Sequence, residues 1–183
     1  MKMKNIGGMR LRTIRNMAVP VLLSAVLLMS ARPLAAAGRV WISLGVAYQG
    51  FGGRYLPSGG TGLEPQILIR TWKTMGIRIG GFSSSGWGSD VAQLDVGFWK
   101  SFGSGKFPSI LLLGISFRAV TDADGGDSIG PGAHAGFRQE LWFARNVGLY
   151  AQGVLRYWPG EYAEVTGGSR FWPSLGGGLS FRF

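Results

Sequence analysis

Residues 40–50 read VWISLGVAYQG, and apolar side chains occupy every second position in this stretch. One face holds Ile42, Leu44, Val46 and Tyr48. The other face holds small or polar residues, namely Ser43, Gly45, Ala47 and Gln49. A period of two is that of a β-strand, because successive side chains point to opposite faces. The stretch therefore predicts a strand that is apolar on one face only.

The same alternation recurs along the rest of the chain. The further predicted strands are about 63–72, 77–83, 90–101, 111–118, 133–143, 147–158 and 171–183. Long polar connections at 51–62, 83–89, 122–129 and 159–169 alternate with shorter ones at 73–76, 102–107 and 144–146. This alternation of long and short connections indicates an up-and-down meander whose long loops all lie at one end. The predicted fold class is all-β, with eight antiparallel strands closed into a transmembrane barrel.

The direction of the apolar face distinguishes a membrane barrel from a soluble one. Several predicted strands reach the 9–11 residues that cross the hydrocarbon layer at a tilt. The second face carries Gly, Ser, Gln and Arg instead of the Lys and Glu of a soluble surface. These features favour an apolar exterior in lipid. A soluble secreted barrel that resembles a lipocalin is the alternative.

Aromatic residues near the predicted strand ends also favour the membrane, because their rings prefer the headgroup level. They are Trp41, Phe51, Trp72, Trp99, Phe102, Trp142, Phe143, Tyr157, Trp158, Phe171 and Phe181. Pro173 lacks a backbone donor, so we expect it near a rim of the barrel.

The first 37 residues have the three parts of a secretory signal. A basic segment runs to about Asn16, an apolar run covers Met17–Met29, and small residues follow up to Ala37. The apolar run is too short to span a bilayer comfortably, which takes about 20 residues. We expect a cleavable signal peptide at 1–37 and a barrel domain at 38–183.

Charge and cysteine content exclude several classes of protein. Six of the 19 basic residues precede Gly38, which leaves 13 basic against 9 acidic residues in the barrel domain. A net charge of +4 gives no reason to expect nucleic-acid binding. The absence of cysteine rules out disulfides and thiolate chemistry.

At the level of pattern, residues 40–183 resemble the small outer-membrane barrels of the OmpA/OmpX type. The terminus Gly178-Leu179-Ser180-Phe181-Arg182-Phe183 is similar to that family's assembly signal, in which aromatic residues end the last strand. The resemblance implies that the outer-membrane assembly machinery reads Phe181 and Phe183. It also implies contact with outer-membrane lipid and lipopolysaccharide, in the cell envelope of a Gram-negative bacterium.

Charged residues on the polar face predict an ion-pair network that fills the lumen, since unpaired buried charges are costly. They are Arg70, Arg78, Asp95, Arg118, Arg138, Glu140, Arg156 and Arg182. The alternative is a small, porin-like pore that prefers anions, because arginine outnumbers acid.

His134 is the single histidine, and Glu140 lies on the same predicted face. Some small outer-membrane barrels are lipid A deacylases or acyltransferases that use His with Ser and an acid. Here Gly136 stands two residues after His134, so the His-x-Ser pattern of the deacylases is missing. We expect no enzyme activity and no catalytic, cofactor-binding or metal residues.

The long connections are acidic, with Asp90, Asp122, Asp124, Asp127, Glu161 and Glu164. The run Asp122–Asp127 lacks the distal Glu of a calcium loop. One hypothesis is that divalent ions bridge these carboxylates to lipopolysaccharide phosphates. The function that the sequence favours is a monomeric outer-membrane barrel with a structural or surface-interaction role, whose specificity lies in extracellular loops.

Overall fold

The computed structural model describes residues 40–50, 60–86, 89–103, 105–121, 127–160 and 170–183. The predicted signal peptide at 1–37 and the ring of Phe51 lie outside these residues. Within the described ranges, no helix is long and apolar enough to cross a membrane.

Eight strands form one closed antiparallel barrel. In chain order they are β1 Val40–Gln49, β2 Gly60–Arg70, β3 Met75–Gly86, β4 Ser89–Phe102, β5 Ser109–Thr121, β6 Asp127–Trp142, β7 Val147–Tyr157 and β8 Phe171–Arg182. Each strand pairs with its neighbours in sequence, and β1 pairs with β8. Closure leaves no strand edge without a partner, as lipid requires. The predicted all-β, eight-stranded, up-and-down barrel is confirmed.

Two of the predicted long connections are shorter than expected. The connection at 83–89 was wrong, because β3 and β4 pair as far as Gly86 and Ser89 and leave only residues 87–88 between them. The connection at 122–129 shrinks to 122–126, because β6 begins at Asp127. Serine and aspartate suggested loops, but their backbone groups still pair in the hairpins.

The two ends of the barrel differ in their connections. We call the end with the connections 71–74, 103–108 and 143–146 the turn end, because the two longest connections, 50–59 and 158–170, both lie at the other end. Val40 and Phe183 lie at the turn end, and the Phe183 N–H donates to the Val40 carbonyl at 2.9 Å. The opposite end is the loop end. Pro173, the third residue of β8, lies at the loop end, near a rim as predicted.

The aliphatic side chains point outward. Leu44, Phe98, Ile115 and Leu175 are 52–71% exposed, whereas the alternating residues between them are mostly buried. On β5 the outward positions run from Leu111 to Ala119, which at about 3.3 Å per residue and a tilt of about 40° rise about 20 Å. That height is comparable to the apolar band of a membrane barrel, about 25 Å tall. The predicted orientation is confirmed.

Candidate functional site

Glycines on the inner wall make room for large side chains in a narrow lumen. A Cβ on Gly76 would lie 2.6 Å from the indole nitrogen of Trp99, and one on Gly132 would lie 2.5 Å from the Trp158 ring. Real Cβ atoms do not approach so closely. Glycines at these positions therefore allow packing of the barrel interior, where the rings lie close to bare backbone.

Asp95 is the centre of the main interior network. Its carboxylate, 1% exposed, accepts hydrogen bonds from Arg156 at 2.9 Å, Gln93 at 2.8 Å and Ser116 at 2.7 Å. Arg78 lies at 3.5 Å from the same carboxylate. Two guanidinium groups thus surround one carboxylate, which compensates its desolvation in the interior. The predicted ion pairing is confirmed for Asp95, Arg78 and Arg156.

Ser116 and His134 extend this network. The Ser116 hydroxyl lies 2.9 Å from His134 Nδ1, and Arg78 Nη1 lies 3.3 Å from His134 Nε2. A guanidinium can only donate, so Nε2 must accept and the ring proton sits on Nδ1. Nδ1–H then donates to Ser116, whose own proton goes to Asp95. In this arrangement the imidazole cannot take the serine proton, so these three residues do not form a nucleophilic triad.

Arg138 and Glu140 form a second network nearer the turn end. Glu140 accepts from Arg138 Nε at 3.0 Å and Nη2 at 2.8 Å, and from the Trp142 indole at 2.8 Å. Arg138 also donates to the hydroxyls of Ser43 and Ser180. Glu140 therefore belongs to an arginine pair, and the acid closest to His134 is Asp95, 3.9 Å away.

Gln66 joins the two networks through one amide oxygen. That oxygen accepts from Arg78 Nε at 3.0 Å and from Arg138 Nη1 at 3.3 Å. Glu64, which is not among the charged residues predicted to form ion pairs, lies 3.9 Å from Arg156 and is 1% exposed. Its position next to Leu63, an apolar residue of the opposite face, could have indicated that Glu64 points into the lumen. The charged interior is continuous across the middle of the barrel.

A cluster of tryptophans lies inside the barrel at the turn end. Trp41 and Trp99 stack with their ring centroids 4.6 Å apart, and Trp142 belongs to the same buried cluster. The Arg182 guanidinium lies 4.0 Å from the Trp142 ring centre and 5.3 Å from that of Trp41. Arg182 was predicted among the ion pairs; the described salt bridges do not include it, and its guanidinium lies against these aromatic faces.

A second aromatic layer lies at the loop end. The guanidinium of Arg118 sits 4.1 Å from the ring centre of Trp158 and 3.7 Å from that of Trp172, so it is held between two indoles. Ala47 and Phe82 pack in the same buried cluster. A desolvated cation–π contact contributes about 2 kcal/mol or more, so we expect these contacts to stabilise the layer.

The predicted aromatic belt is correct in part. Four residues assigned to it point inward and are at most 6% exposed: Trp41, Trp99, Trp142 and Trp158. Others face outward as predicted: Trp72, Phe102, Phe143, Tyr157 and Phe171. Nearness to a strand end does not reveal the face, and parity places the four indoles on the inner wall. Phe181 faces outward but is partly covered.

The acidic-loop hypothesis falls mostly on residues outside the described ranges. Asp122, Asp124, Glu161 and Glu164 lie there. Within the described part of the chain, no group of three or more His, Asp or Glu side chains could hold a metal ion.

Solved structures resemble this barrel closely in fold. Neisserial surface protein A superposes with a TM-score of 0.57 at 14% identity, covering 79% of this chain and 97% of that chain. The N-terminal barrel domain of Pseudomonas aeruginosa OprF gives 0.59 at 13%, covering 78% and 97%. Ail, the attachment invasion locus protein of Yersinia pestis, gives 0.52 at 11%, covering 79% and 97%.

This is the fold of the small outer-membrane β-barrels. With the apolar band that its own side chains form, the chain is an integral membrane barrel of the outer-membrane type. No family model matches the chain, and no curated protein matches it either. The likeness is therefore one of fold, at low sequence identity.

Proposed function

We propose that the chain is a non-conducting, non-enzymatic barrel of the bacterial outer membrane, with a structural or surface-interaction role that its long loops carry. The observation that supports this role is the packed interior, in which the Asp95 and Arg138 networks lie between two tryptophan layers. A barrel filled in this way is a rigid support for loops, and specificity then comes from the loops. Lipid and lipopolysaccharide surround the barrel, which acts as a monomer.

The names of two similar structures agree with this proposal. One is called a surface protein and the other an attachment invasion locus protein. Because one fold can carry different loops and ligands, the analogy with these proteins extends to a surface role and to no particular ligand.

The proposal includes export. We propose that residues 1–37 are removed as a signal peptide and that the terminal Phe183 is read during assembly. Mass spectrometry of the mature protein should find an N-terminus near Gly38. An intact Met17–Met29 segment in the membrane-inserted protein would contradict cleavage.

Trypsin treatment of intact cells tests the location and the orientation. Cleavage is expected after Arg54 or Arg170, which lie in the long connections. Lys73, Lys106 and Arg145 in the short turns should be cut only after the outer membrane is permeabilised. Cleavage at the turns of intact cells, or extraction of the protein without detergent, would refute the proposal.

A further inference from the structure

The exposed cations of this barrel are concentrated at the turn end. Lys73, Lys106 and Arg145 lie in the three short turns and are exposed, and Lys100 lies just before one of them. These include every lysine after residue 40. The three turns contain no acidic residue, whereas the loop end carries six acids, four in its connections and Asp90 and Asp127 at the ends of β4 and β6, against two arginines, Arg54 and Arg170. The two ends of the molecule therefore differ in sign.

The surroundings of Lys100 indicate that this cation lies near the headgroup level. It points outward on β4, beside Met75 on β3 and Leu111 on β5. A lysine on this apolar surface must extend its ammonium group toward the interface. Its Nζ lies 5.4 Å from the ring centre of Phe102, the next outward residue toward the turn.

The neighbouring row of outward residues marks the same boundary. Phe102 pairs with Ser109, and Ser109 pairs with Gln139. The Ser109 hydroxyl donates to Gln139 at 2.7 Å, and the Gln139 amide donates to the Pro108 carbonyl at 3.2 Å. Polar side chains thus interrupt the aliphatic outer face at Ser109 and Gln139, although Leu141 follows Gln139 on β6. On β5 this change from Leu111 to Ser109 indicates an edge of the hydrocarbon layer near Phe102.

Backbone hydrogen bonds hold the turns in fixed positions. Ser101 N–H donates to the Thr74 carbonyl at 2.7 Å, and Trp142 N–H donates to the Lys106 carbonyl at 2.8 Å. Exposed aromatic rings stand among the cations: Trp72, Phe102, Phe107 and Phe143. Aromatic anchors next to cations on turns of defined backbone geometry are complementary to a phosphate with a neighbouring acyl chain.

We infer that Lys73, Lys100, Lys106 and Arg145 form a ring that binds anionic phospholipid headgroups in the leaflet at the turn end. The inference rests on the proposed membrane-spanning role. The charge asymmetry selects the leaflet, because the acidic loop end repels the same headgroups. Each cation close to an anionic surface should raise lipid association about fivefold at its own position.

The test is lipid selectivity in vesicles of phosphatidylcholine that contain spin-labelled phosphatidylglycerol or spin-labelled phosphatidylcholine. Electron paramagnetic resonance of the folded protein gives the relative association constant of the two labels. The wild type should prefer phosphatidylglycerol several-fold. The K73Q/K100Q/K106Q/R145Q variant should lose the preference, K100Q/K106Q should lose part of it, and about 1 M salt should abolish it by screening.

The matched control is R54Q/R170Q, which removes two cations from the loop end and should retain the wild-type preference. Equal selectivity in all variants, or a loss only in R54Q/R170Q, would overturn the inference. A shift in gel migration between folded and boiled protein reports insertion independently. If no variant inserts, the proposed membrane role itself fails.

Discussion

Arg156 on β7 donates to Asp95 on β4 at 2.9 Å, and this bond joins strands that are not neighbours in the barrel wall. The two side chains meet because the lumen is narrow enough for opposite walls to touch. Ion pairs inside the barrel therefore connect strands that share no backbone hydrogen bonds.

Replacing Asp95 by Ala should destabilise the barrel by about 3–5 kcal/mol, because Arg78 and Arg156 lose their shared carboxylate inside the barrel. Urea unfolding from phosphatidylcholine vesicles measures this change. Lys106→Gln, which removes an exposed charge at a turn, should change stability by less than about 0.5 kcal/mol. Equal effects of the two substitutions would contradict a stabilising role for the central network.

Arg138 and Glu140 should be strongly coupled in a double-mutant cycle. Glu140→Leu alone leaves a buried guanidinium without its carboxylate and should cost about 3–5 kcal/mol. The R138M/E140L variant removes both charges and should cost clearly less than the sum of the two single changes. Additive losses would show that the pair acts as two independent residues.

The barrel should not conduct ions. Trp41, Trp99 and Trp142 close one end of the lumen, and Arg118 between Trp158 and Trp172 closes the other. Insertion into planar bilayers should be electrically silent. The W158A/W172A variant should remain silent as well, because the layer at the turn end is intact. Discrete conductance steps from the wild type would favour the alternative interpretation from the sequence, a small anion-preferring pore.

His134 should be found as the Nδ1–H tautomer. Arg78 faces Nε2 and Ser116 faces Nδ1, so the proton is fixed by its neighbours. Nitrogen-15 NMR of the imidazole in the folded protein measures the tautomer directly. Detection of the Nε2–H form would contradict donation from His134 Nδ1 to Ser116. The Ser116 hydroxyl could then donate to Nδ1 of the ring.

Incubation of the purified barrel with lipid A should release no fatty acid, because Ser116 and His134 are buried in the lumen. Ser116→Ala should therefore alter stability, by about 1–3 kcal/mol, without altering any lipid product. Acyl release that Ser116→Ala abolishes would establish the enzymatic alternative.

Deletion of Phe183 should slow assembly in cells more than it weakens the folded barrel. The ring is 49% exposed, and its backbone N–H makes one hydrogen bond to Val40. Yield in the outer membrane and unfolding in vesicles separate these two effects. Deleting Phe183 with no loss of outer-membrane yield would remove the support for an assembly signal.

The sequence by itself determined the strand number, the antiparallel order and the face of most strand residues, although the tryptophans near the strand ends were assigned to the headgroup belt. The reason is geometric, since a period of two assigns Leu44 and Ser43 to opposite faces wherever the strand lies. It also determined that the charged residues share the interior. Loop lengths were less certain, because side chains such as Ser83–Ser85 do not reveal whether their backbone groups pair.

Only the tertiary structure decided which interior residues meet. Barrel closure and register bring Asp95 to Arg156 and Ser116 to His134, and these contacts join positions 61 and 18 residues apart in the chain. It also moved four tryptophans from the expected headgroup belt into the lumen, where inner-wall glycines such as Gly76 and Gly132 receive the rings. The alternation of apolar and polar residues indicates the face on which a residue lies. Which residues meet across the lumen depends on the relative stagger of all eight strands.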